Sequence, residues 1–337
     1  MVSFTQLMHF IAVAKAGTFT GAARSLEIAQ PAISQSIAAL ERELDAQLLV
    51  RTSRTCTLTA VGAEFLSDAD RVVKDLEAAV LRARRLASVG TQKIVIGMTG
   101  GLSNLLTERL LHFGPQGHSG LDIVVVEGSV GRLRQLLLEG RIDCALSYPG
   151  PTDDSKIKNR FVAYEPMHLV AHPEVMGQYP MEGRFDLHQL AKFPLFLPSV
   201  LTEAGAGQLL NREAVARGVK LDVRFELQST MVIRRLLLQD RLATVIALGS
   251  VIDDVASGLL ASHLIEAPEF VREVTLSMLA SRPYGPAENT LLALIKKIAG
   301  DFLIPCGVWR REATDFAEPD LASFRAMRSD AALASRT

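Results

Sequence analysis

Apolar residues recur at helical intervals near the start of the chain. Ala22, Ala23 and Leu26 share one helical face, and a second segment has apolar residues at intervals of four, three and four: Ile33, Ile37, Leu40 and Leu44. Pro31 suits the first turn of that segment, because the N–H group that it lacks would have no helical partner there. The pattern predicts two packed helices, the second starting just before Pro31, followed by a β-hairpin over residues 47–58.

Short polar side chains occupy the opposite side of the second segment. Gln30, Ser34 and Gln35 fall on its first turns, where the side chains of a helix in the major groove reach base edges. We expect residues 1–58 to form a winged helix-turn-helix domain that binds DNA, with the hairpin tip on phosphates or in the minor groove. The expected DNA-contacting residues are Gln30, Pro31, Ser34, Gln35 and Arg54.

A seven-residue apolar repeat follows the hairpin. Thr59 is placed to cap a helix that runs to about Ser88, and the apolar positions fall at alternating intervals of four and three: Phe65, Ala69, Val72, Leu76, Ala79, Ala83 and Leu86. An amphipathic helix packed on its own domain has the same pattern, but the preceding segments are too small to bury so long a stripe. We expect residues 59–90 to be a linker helix and hinge, with chains pairing through Phe65, Val72, Leu76, Ala79 and Ala83.

Short β-rich runs alternate with helical ones from Lys93 onward. The runs are Ile94–Gly97, Ile123–Glu127, Asp143–Ser147, Pro194–Leu197, Leu221–Glu226 and Thr244–Ala247. Such alternation predicts an α/β sheet, with chain crossings near Tyr164–His168 and Ala267–Thr275. The last strongly periodic segment is Asn289–Phe302, and the pattern assigns no structure to a tail over residues 306–337.

Composition limits the class of protein. A chain of 337 residues with 48% apolar and 22% charged residues is typical of a soluble protein with two or three domains. No apolar run reaches the length of a membrane span and no signal peptide is evident, so we expect a cytoplasmic protein that does not contact a membrane. The net charge is −1, and residues 1–60 carry five basic and four acidic side chains. DNA binding would therefore depend on a few placed cations, helix N-termini and dimerisation.

Several short motifs resemble one known family. They are Phe10-Ile-Ala-Val-Ala, Gly17-Thr-Phe-Thr-Gly-Ala-Ala, Gln30-Pro-Ala-Ile-Ser, Leu40-Glu-Arg-Glu-Leu and Leu58-Thr-Ala-Val-Gly. Together they resemble the N-terminal domain of LysR-type transcriptional regulators over about residues 4–65, and the remaining architecture fits to about residue 303. The resemblance implies a bacterial regulator, usually tetrameric, that senses a small-molecule effector and binds double-stranded promoter DNA, with RNA polymerase as a partner if it activates transcription.

The resemblance also implies the fold class. We expect an α+α/β protein with an N-terminal winged helix-turn-helix, a long linker helix and a C-terminal two-lobed α/β effector domain like that of periplasmic binding proteins. The effector domain would cover residues 91–305, with lobe 1 over about 91–165 and 268–305 and lobe 2 over about 166–267.

Hydroxyl and glycine residues stand at the ends of the predicted strands, where helices begin. Helix N-termini expose unpaired N–H groups and favour anions, so such ends converging on one crevice would bind an anionic effector without a basic side chain. The alternative is that each hydroxyl only caps its own helix. The expected effector-binding residues are Thr99, Ser103, Ser129, Thr202 and Thr230, with Leu201 and Val245 as apolar walls.

Two other classes of protein compete with a regulator. A solute receptor that feeds a transporter would need a signal peptide, and an enzyme would need a nucleophile, base or metal set that the sequence does not show. His168 and His172 are four apart in an extended segment, which separates them by about 13 Å, too far to share zinc. We expect no catalytic residues, no metal and no cofactor.

Overall fold

The protein is described by a computed structural model. The structure describes residues 1–51, 55–87, 92–112, 120–150, 155–179, 187–198, 205–240 and 242–326. The chain divides into two compact units, Met1–Ala87 and Ser88–Thr337. None of the described helices is both long enough and apolar enough to cross a membrane.

The first unit has the predicted order of elements. It contains α1 (Phe4–Ala16), α2 (Phe19–Ser25), α3 (Gln30–Leu44), β1 (Leu49–Arg51), β2 (Cys56–Leu58) and α4 (Ala60–Ala87). The strands β1 and β2 pair antiparallel, with Leu49 opposite Leu58. The helix-turn-helix and the hairpin predicted from the apolar pattern are therefore present.

The core of this unit explains why these helices form. Ile33, Ile37 and Leu40 on α3 are fully buried, and they pack against α1, where Phe10 is also fully buried. Burial of each large apolar side chain stabilises the folded unit by about 1.5 to 3 kcal/mol. The α4 helix begins as predicted, because the Thr59 hydroxyl accepts a hydrogen bond of 2.9 Å from the Gly62 N–H.

The second unit alternates strands and helices. Its elements are β3 (Gln92–Met98), α5 (Gly100–His112), β4 (Leu121–Glu127), α6 (Val130–Leu138), β5 (Cys144–Ser147), β6 (Ile157–Ala171), α7 (Pro173–Gln178), α8 (Leu187–Leu190), β7 (Pro194–Pro198), α9 (Ala206–Ala216), β8 (Asp222–Leu227), α10 (Thr230–Gln239), β9 (Ala243–Ala247), α11 (Ile252–Ala256), β10 (Ala261–Leu264), β11 (Val271–Leu279) and α12 (Pro286–Ile298). Short 3-10 turns cover Leu248–Ser250 and Pro268–Phe270, and a π-helical turn covers Ala299–Leu303.

One long strand, β6, joins the two halves of the sheet. The strand order is β4-β3-β5-β11-β6-β9-β7-β8, and β10 also pairs with β6. The first part of β6 pairs antiparallel with β11, whereas its last residues pair with β9 and β10. The predicted crossings near Tyr164–His168 and Ala267–Thr275 fall on β6 and β11. Both halves of the sheet therefore share one continuous strand.

The tail is folded as far as residue 326, although the sequence pattern assigned it no structure. Trp309 and Arg310 are almost completely buried, and Phe324 packs on the Phe302 ring at 5.0 Å between centroids. Arg310 forms an antiparallel bridge with Tyr164 on β6. The described part of the tail is thus a piece of the core of the second unit.

Candidate DNA interface and effector cleft

The polar face of α3 is exposed on the N-terminal unit. Gln30, Pro31 and Gln35 are exposed and Ser34 is half-buried, while the apolar residues on the other side of the helix are buried. Ala29 provides no side-chain cap for α3, and the Ala32 N–H donates to the Ala29 carbonyl at 3.0 Å. The helix therefore presents short hydrogen-bonding side chains beside an N-terminus that its N-cap residue leaves uncapped.

The wing is fixed at its base. The Glu41 carboxylate on α3 accepts hydrogen bonds of 2.8 and 3.1 Å from the N–H groups of Leu48 and Leu49. Arg54, the expected contact at the hairpin tip, lies outside the described residues. Its role stays a prediction.

The apolar stripe of α4 is divided between two environments. Phe65 packs on Phe10 at 5.5 Å between ring centroids, and Ala69 is buried in the same core. Phe65 is half-buried against the core of its own unit, and its role in pairing chains stays a prediction. Val72 and Leu76 remain 48% and 45% exposed.

The exposed part of this stripe continues beyond the predicted residues. Val80, which we did not predict as a pairing residue, is 42% exposed one turn after Leu76, and Ala79 is also exposed. The side chain of Ala83 lies outside the described residues. The apolar surface available for a partner is thus the group Val72, Leu76, Ala79 and Val80, which we call the α4 stripe.

A cleft of about 600 Å³ lies in the second unit. Four helices begin at its edge: α5 at Gly100, α6 at Val130, α9 at Ala206 and α10 at Thr230. The cleft is narrow near α5, because a Cβ on Gly100 would lie 2.8 Å from the Thr230 hydroxyl. Convergent N-termini make this cleft favourable for an anion.

Three predicted effector residues line the cleft. Thr99, Ser129 and Thr230 are among its lining residues. The Thr99 hydroxyl oxygen is buried and lies beside the Tyr148 hydroxyl, so Thr99 belongs to the same wall of the cleft as Tyr148. In contrast, the Ser129 hydroxyl accepts a 3.3 Å hydrogen bond from the Arg132 N–H, as a cap of its own helix does.

Two predicted residues lie elsewhere, and two are outside the described residues. Ser103 is not among the residues that line the cleft, and its hydroxyl lies 3.1 Å from that of Thr107, one turn along α5. Val245 on β9 is fully buried in a core cluster and is not among the residues that line the cleft. We correct both placements. Leu201 and Thr202 fall outside the described residues.

The sequence reasoning missed the basic residues of the cleft. Arg132 and Arg272 line it together with one acidic residue, Glu127, so an anion would meet cationic side chains as well as helix N-termini. The Arg272 side chain is only 13% exposed, and its guanidinium lies over the Tyr148 ring at 3.5 Å. Position 272 falls within the predicted chain crossing at Ala267–Thr275, and this was the sequence feature that could have indicated Arg272 as a residue of the cleft.

A buried carboxylate supports this wall of the cleft. Glu165 on β6 is 1% exposed and stands directly opposite Arg272 in the pairing of β6 with β11. It accepts a 2.5 Å hydrogen bond from the Tyr148 hydroxyl and lies 3.5 Å from the Arg272 guanidinium. Burial raises the pKa of the Tyr148 hydroxyl, while Arg272 opposes that rise. The Tyr148 hydroxyl therefore keeps its proton and acts in this wall as a hydrogen-bond donor.

Comparison with known proteins covers both units. The profile of the bacterial regulatory helix-turn-helix proteins of the lysR family matches residues 4–63, and that of the LysR substrate binding domain matches residues 88–299. The nitrogen assimilation regulatory protein nac of Escherichia coli (strain K12) is 30% identical over 59% of this chain and 63% of its own length. The regulator BbuR of Bordetella bronchiseptica is 28% identical over 86% of this chain and 87% of its own length.

Solved structures share the fold. Full-length CbnR in complex with its target DNA has a TM-score of 0.63 at 21% identity, over 88% of this chain and 99% of that chain. Full-length BenM has a TM-score of 0.52 at 23% identity, over 89% of this chain and 97% of that chain. The chain spans less than two thirds of nac but nearly all of these structures. Because the two profiles together match most of its residues, the chain belongs to the LysR family of bacterial helix-turn-helix regulators.

Proposed function

We propose that this protein is a sequence-specific DNA-binding transcriptional regulator controlled by a small anionic metabolite. The polar face of α3 carries the DNA-binding part of the proposal, because it offers Gln30, Ser34 and Gln35 beside a helix N-terminus without a side-chain cap from Ala29. The solved structure of CbnR with its target DNA supports the same use of the fold. The protein acts by binding and not by catalysis.

The effector part of the proposal depends on the cleft of the second unit. Four helix N-termini and two arginines surround a space of about 600 Å³, which is within the range of small-molecule sites. A carboxylate fits this environment, because the N–H groups and guanidinium groups replace its hydration. Residues 91–165 with 268–305 would form one lobe and residues 166–267 the other, and ligand binding would favour their closure.

The net positive charge of one N-terminal domain is too small to account for DNA binding. Residues 1–60 carry five basic and four acidic side chains, so bulk attraction to phosphates is weak. Two chains joined through the α4 stripe would double the number of contacts and set the distance between half-sites. A dimer, and in the family's usual form a tetramer, is therefore part of the proposal.

The DNA-binding function is tested by two substitutions of different kinds. We expect Gln35→Ala to change the preference at one base-pair position at a cost of about 1 to 3 kcal/mol. We expect Arg54→Ala, the matched comparison, to weaken binding to all sequences alike and to lower the salt slope by about one. Selection of binding sites from random DNA, followed by salt titrations, measures both effects. Unchanged site preference in Gln35→Ala would contradict base reading by α3.

A further inference from the structure

The tail of the second unit is organised around one buried guanidinium. Arg310 is 1% exposed, and its N–H groups donate to backbone carbonyls of Gly307, Trp309, Asp315 and Ala317. A buried guanidinium requires such partners, because an unpaired donor in the interior is costly. The segment from Gly307 to Ala317 is therefore wrapped around the Arg310 side chain.

This folded tail is attached to β6 at a defined register. The Arg310 N–H donates to the Tyr164 carbonyl at 2.8 Å, and the Tyr164 N–H donates back to the Arg310 carbonyl at 2.9 Å. The bridge places Trp309 beside Glu165, the residue after Tyr164. The indole N–H of Trp309 donates to Oε1 of Glu165 at 3.3 Å, and both side chains are buried.

The same carboxylate reaches the cleft through its other oxygen. Oε2 of Glu165 accepts the Tyr148 hydroxyl at 2.5 Å and lies 3.5 Å from the Arg272 guanidinium. Both Tyr148 and Arg272 line the cleft, whereas Trp309 does not. A continuous set of contacts thus runs from the tail, through one carboxylate, to the wall where an anion would bind.

We propose that Trp309 is a positioning residue for the effector cleft and that the tail is part of the sensing machinery. By donating to Oε1, the indole holds Glu165 in the orientation in which Oε2 accepts a 2.5 Å hydrogen bond from Tyr148 and pairs with Arg272 only at 3.5 Å. Without the indole N–H, one oxygen of a buried carboxylate lacks a donor, and the carboxylate turns further toward Arg272. Glu165 then pairs more closely with Arg272, and an anion in the cleft binds more weakly.

The contact between tail and cleft can be observed without any ligand. Trp309 is the only tryptophan of the chain, so the full-length protein labelled with 5-fluorotryptophan gives one fluorine resonance. We expect Tyr148→Phe and Arg272→Gln to move this resonance by more than its linewidth. Arg132→Gln changes another cleft arginine, which pairs with Gln135 and not with Glu165, and we expect it to leave the resonance in place. If neither Tyr148→Phe nor Arg272→Gln shifts the fluorine resonance, the proposal is overturned.

The effect of Trp309 on anion binding in the cleft is measured with sulfate as the probe anion. Trp309→Phe keeps the aromatic ring and removes only the donor, and we expect it to weaken sulfate binding about tenfold, the effect of roughly 1.4 kcal/mol. Phe324→Leu is the control, because it loosens the packing of the tail on Phe302 without touching Glu165, and its sulfate affinity should equal that of the parent. Equal losses in both variants would overturn a specific role for Trp309, since any loosening of the tail would then suffice.

This ligand arm rests on the proposed anionic effector, whereas the fluorine arm does not. If the parent protein fails to bind sulfate, the anionic character of the cleft is contradicted, and the resonance shifts still decide whether the tail is coupled to the cleft wall. The two failures are therefore distinguishable.

Discussion

Gly62 lies where the start of α4 passes closest to the preceding loop. A Cβ at this position would lie 2.0 Å from the Leu48 carbonyl oxygen, which is closer than any real contact. That carbonyl also accepts a 3.0 Å hydrogen bond from the Thr59 N–H, so it has little freedom to move. The lack of a side chain at one residue thus permits the junction between the wing and α4.

We expect Gly62→Ala to lower the free energy of unfolding of the N-terminal unit by about 1 to 3 kcal/mol, the usual cost of overpacking. Gly131→Ala is the control, because a Cβ there meets no atom within 4 Å in helix α6, and it should leave stability unchanged or raise it slightly. Urea unfolding followed by circular dichroism measures both changes. A fully stable Gly62→Ala protein would contradict the close approach.

His168 makes stability depend on pH. It is fully buried on β6 near Arg310 and His263, and burial, followed by the charge of Arg310, lowers its pKa to about 3. Burial also lowers the pKa of His263, while Glu318 opposes that shift. In the unfolded chain His168 takes up a proton below about pH 6.5, but in the folded unit it stays neutral. Stability from this residue is therefore present above about pH 6.5 and lost as the pH falls.

We expect the second unit to lose up to about 1.4 kcal/mol of stability per pH unit from His168 as the pH falls from about 7 to 5. His168→Phe should flatten this slope, whereas His188→Gln, which changes an exposed histidine on α8, should keep the slope of the parent. Trp309 emission during urea unfolding reports on this unit, because the tryptophan lies in its core. Parallel slopes in the parent and His168→Phe would show that another group titrates.

At the scale of elements, helix α4 changes its surroundings along its length. Its first turns contribute Phe65 and Ala69 to the core of the N-terminal unit, while the α4 stripe stays exposed in a single chain. Three large apolar side chains on one face are more than an isolated surface helix needs. The expectation that this face pairs two chains follows from that exposure.

We expect Leu76→Lys to prevent pairing, because an ammonium at the centre of an apolar interface is buried without a partner at a cost of several kcal/mol. Ser67→Lys is the control, because Ser67 is exposed on the opposite side of α4, and it should retain the oligomer of the parent. Sedimentation velocity compares the three proteins. If Leu76→Lys sediments as the parent does, the α4 stripe is not the pairing surface.

Elements with a strong local period were predictable from sequence. Helix α3 starts at Gln30 as predicted, because the spacing of its apolar residues and Pro31 both act within a few residues. In contrast, β9 is buried along its whole length, so no alternation shows which side Val245 faces.

Contacts between distant residues were not predictable. Glu165 meets Arg272 and Trp309 across 107 and 144 positions, and no local period encodes such pairs. Trp309 and Arg310 lie in a segment with mixed charges and no helical or strand repeat, so the tail carried no signal of its own. The order of the elements therefore followed from local patterns, whereas the polar contacts behind the cleft wall required the pairing of β6 with β11.

At the scale of the whole molecule, DNA reading and effector sensing belong to different units. The polar face of α3 lies within Met1–Ala87, and the cleft lies within Ser88–Thr337. A ligand influences DNA binding only if its affinity differs between two conformations of the protein. A substitution confined to the cleft should therefore alter the response to ligand and leave ligand-free DNA binding intact.

We expect Thr99→Val to weaken binding of an anionic effector about tenfold, the effect of losing one hydrogen bond of about 1.4 kcal/mol. Ser103→Ala is the control, because it removes a hydroxyl from helix α5, which follows Thr99, and Ser103 is not among the residues that line the cleft. Calorimetry with a carboxylate that binds the parent measures ligand affinity, and fluorescence anisotropy measures ligand-free DNA affinity. Equal ligand affinity in the parent and Thr99→Val would place the effector elsewhere.

The late position of Trp309 and Phe324 also fixes an order of events during synthesis. Every core residue of the N-terminal unit occurs within the first 87 positions, so that unit can fold while most of the chain is still being translated. The core of the second unit includes Trp309 and Phe324, and it stays incomplete until they leave the ribosome. A nascent chain of this regulator thus acquires a folded DNA-reading unit well before it acquires a sensor.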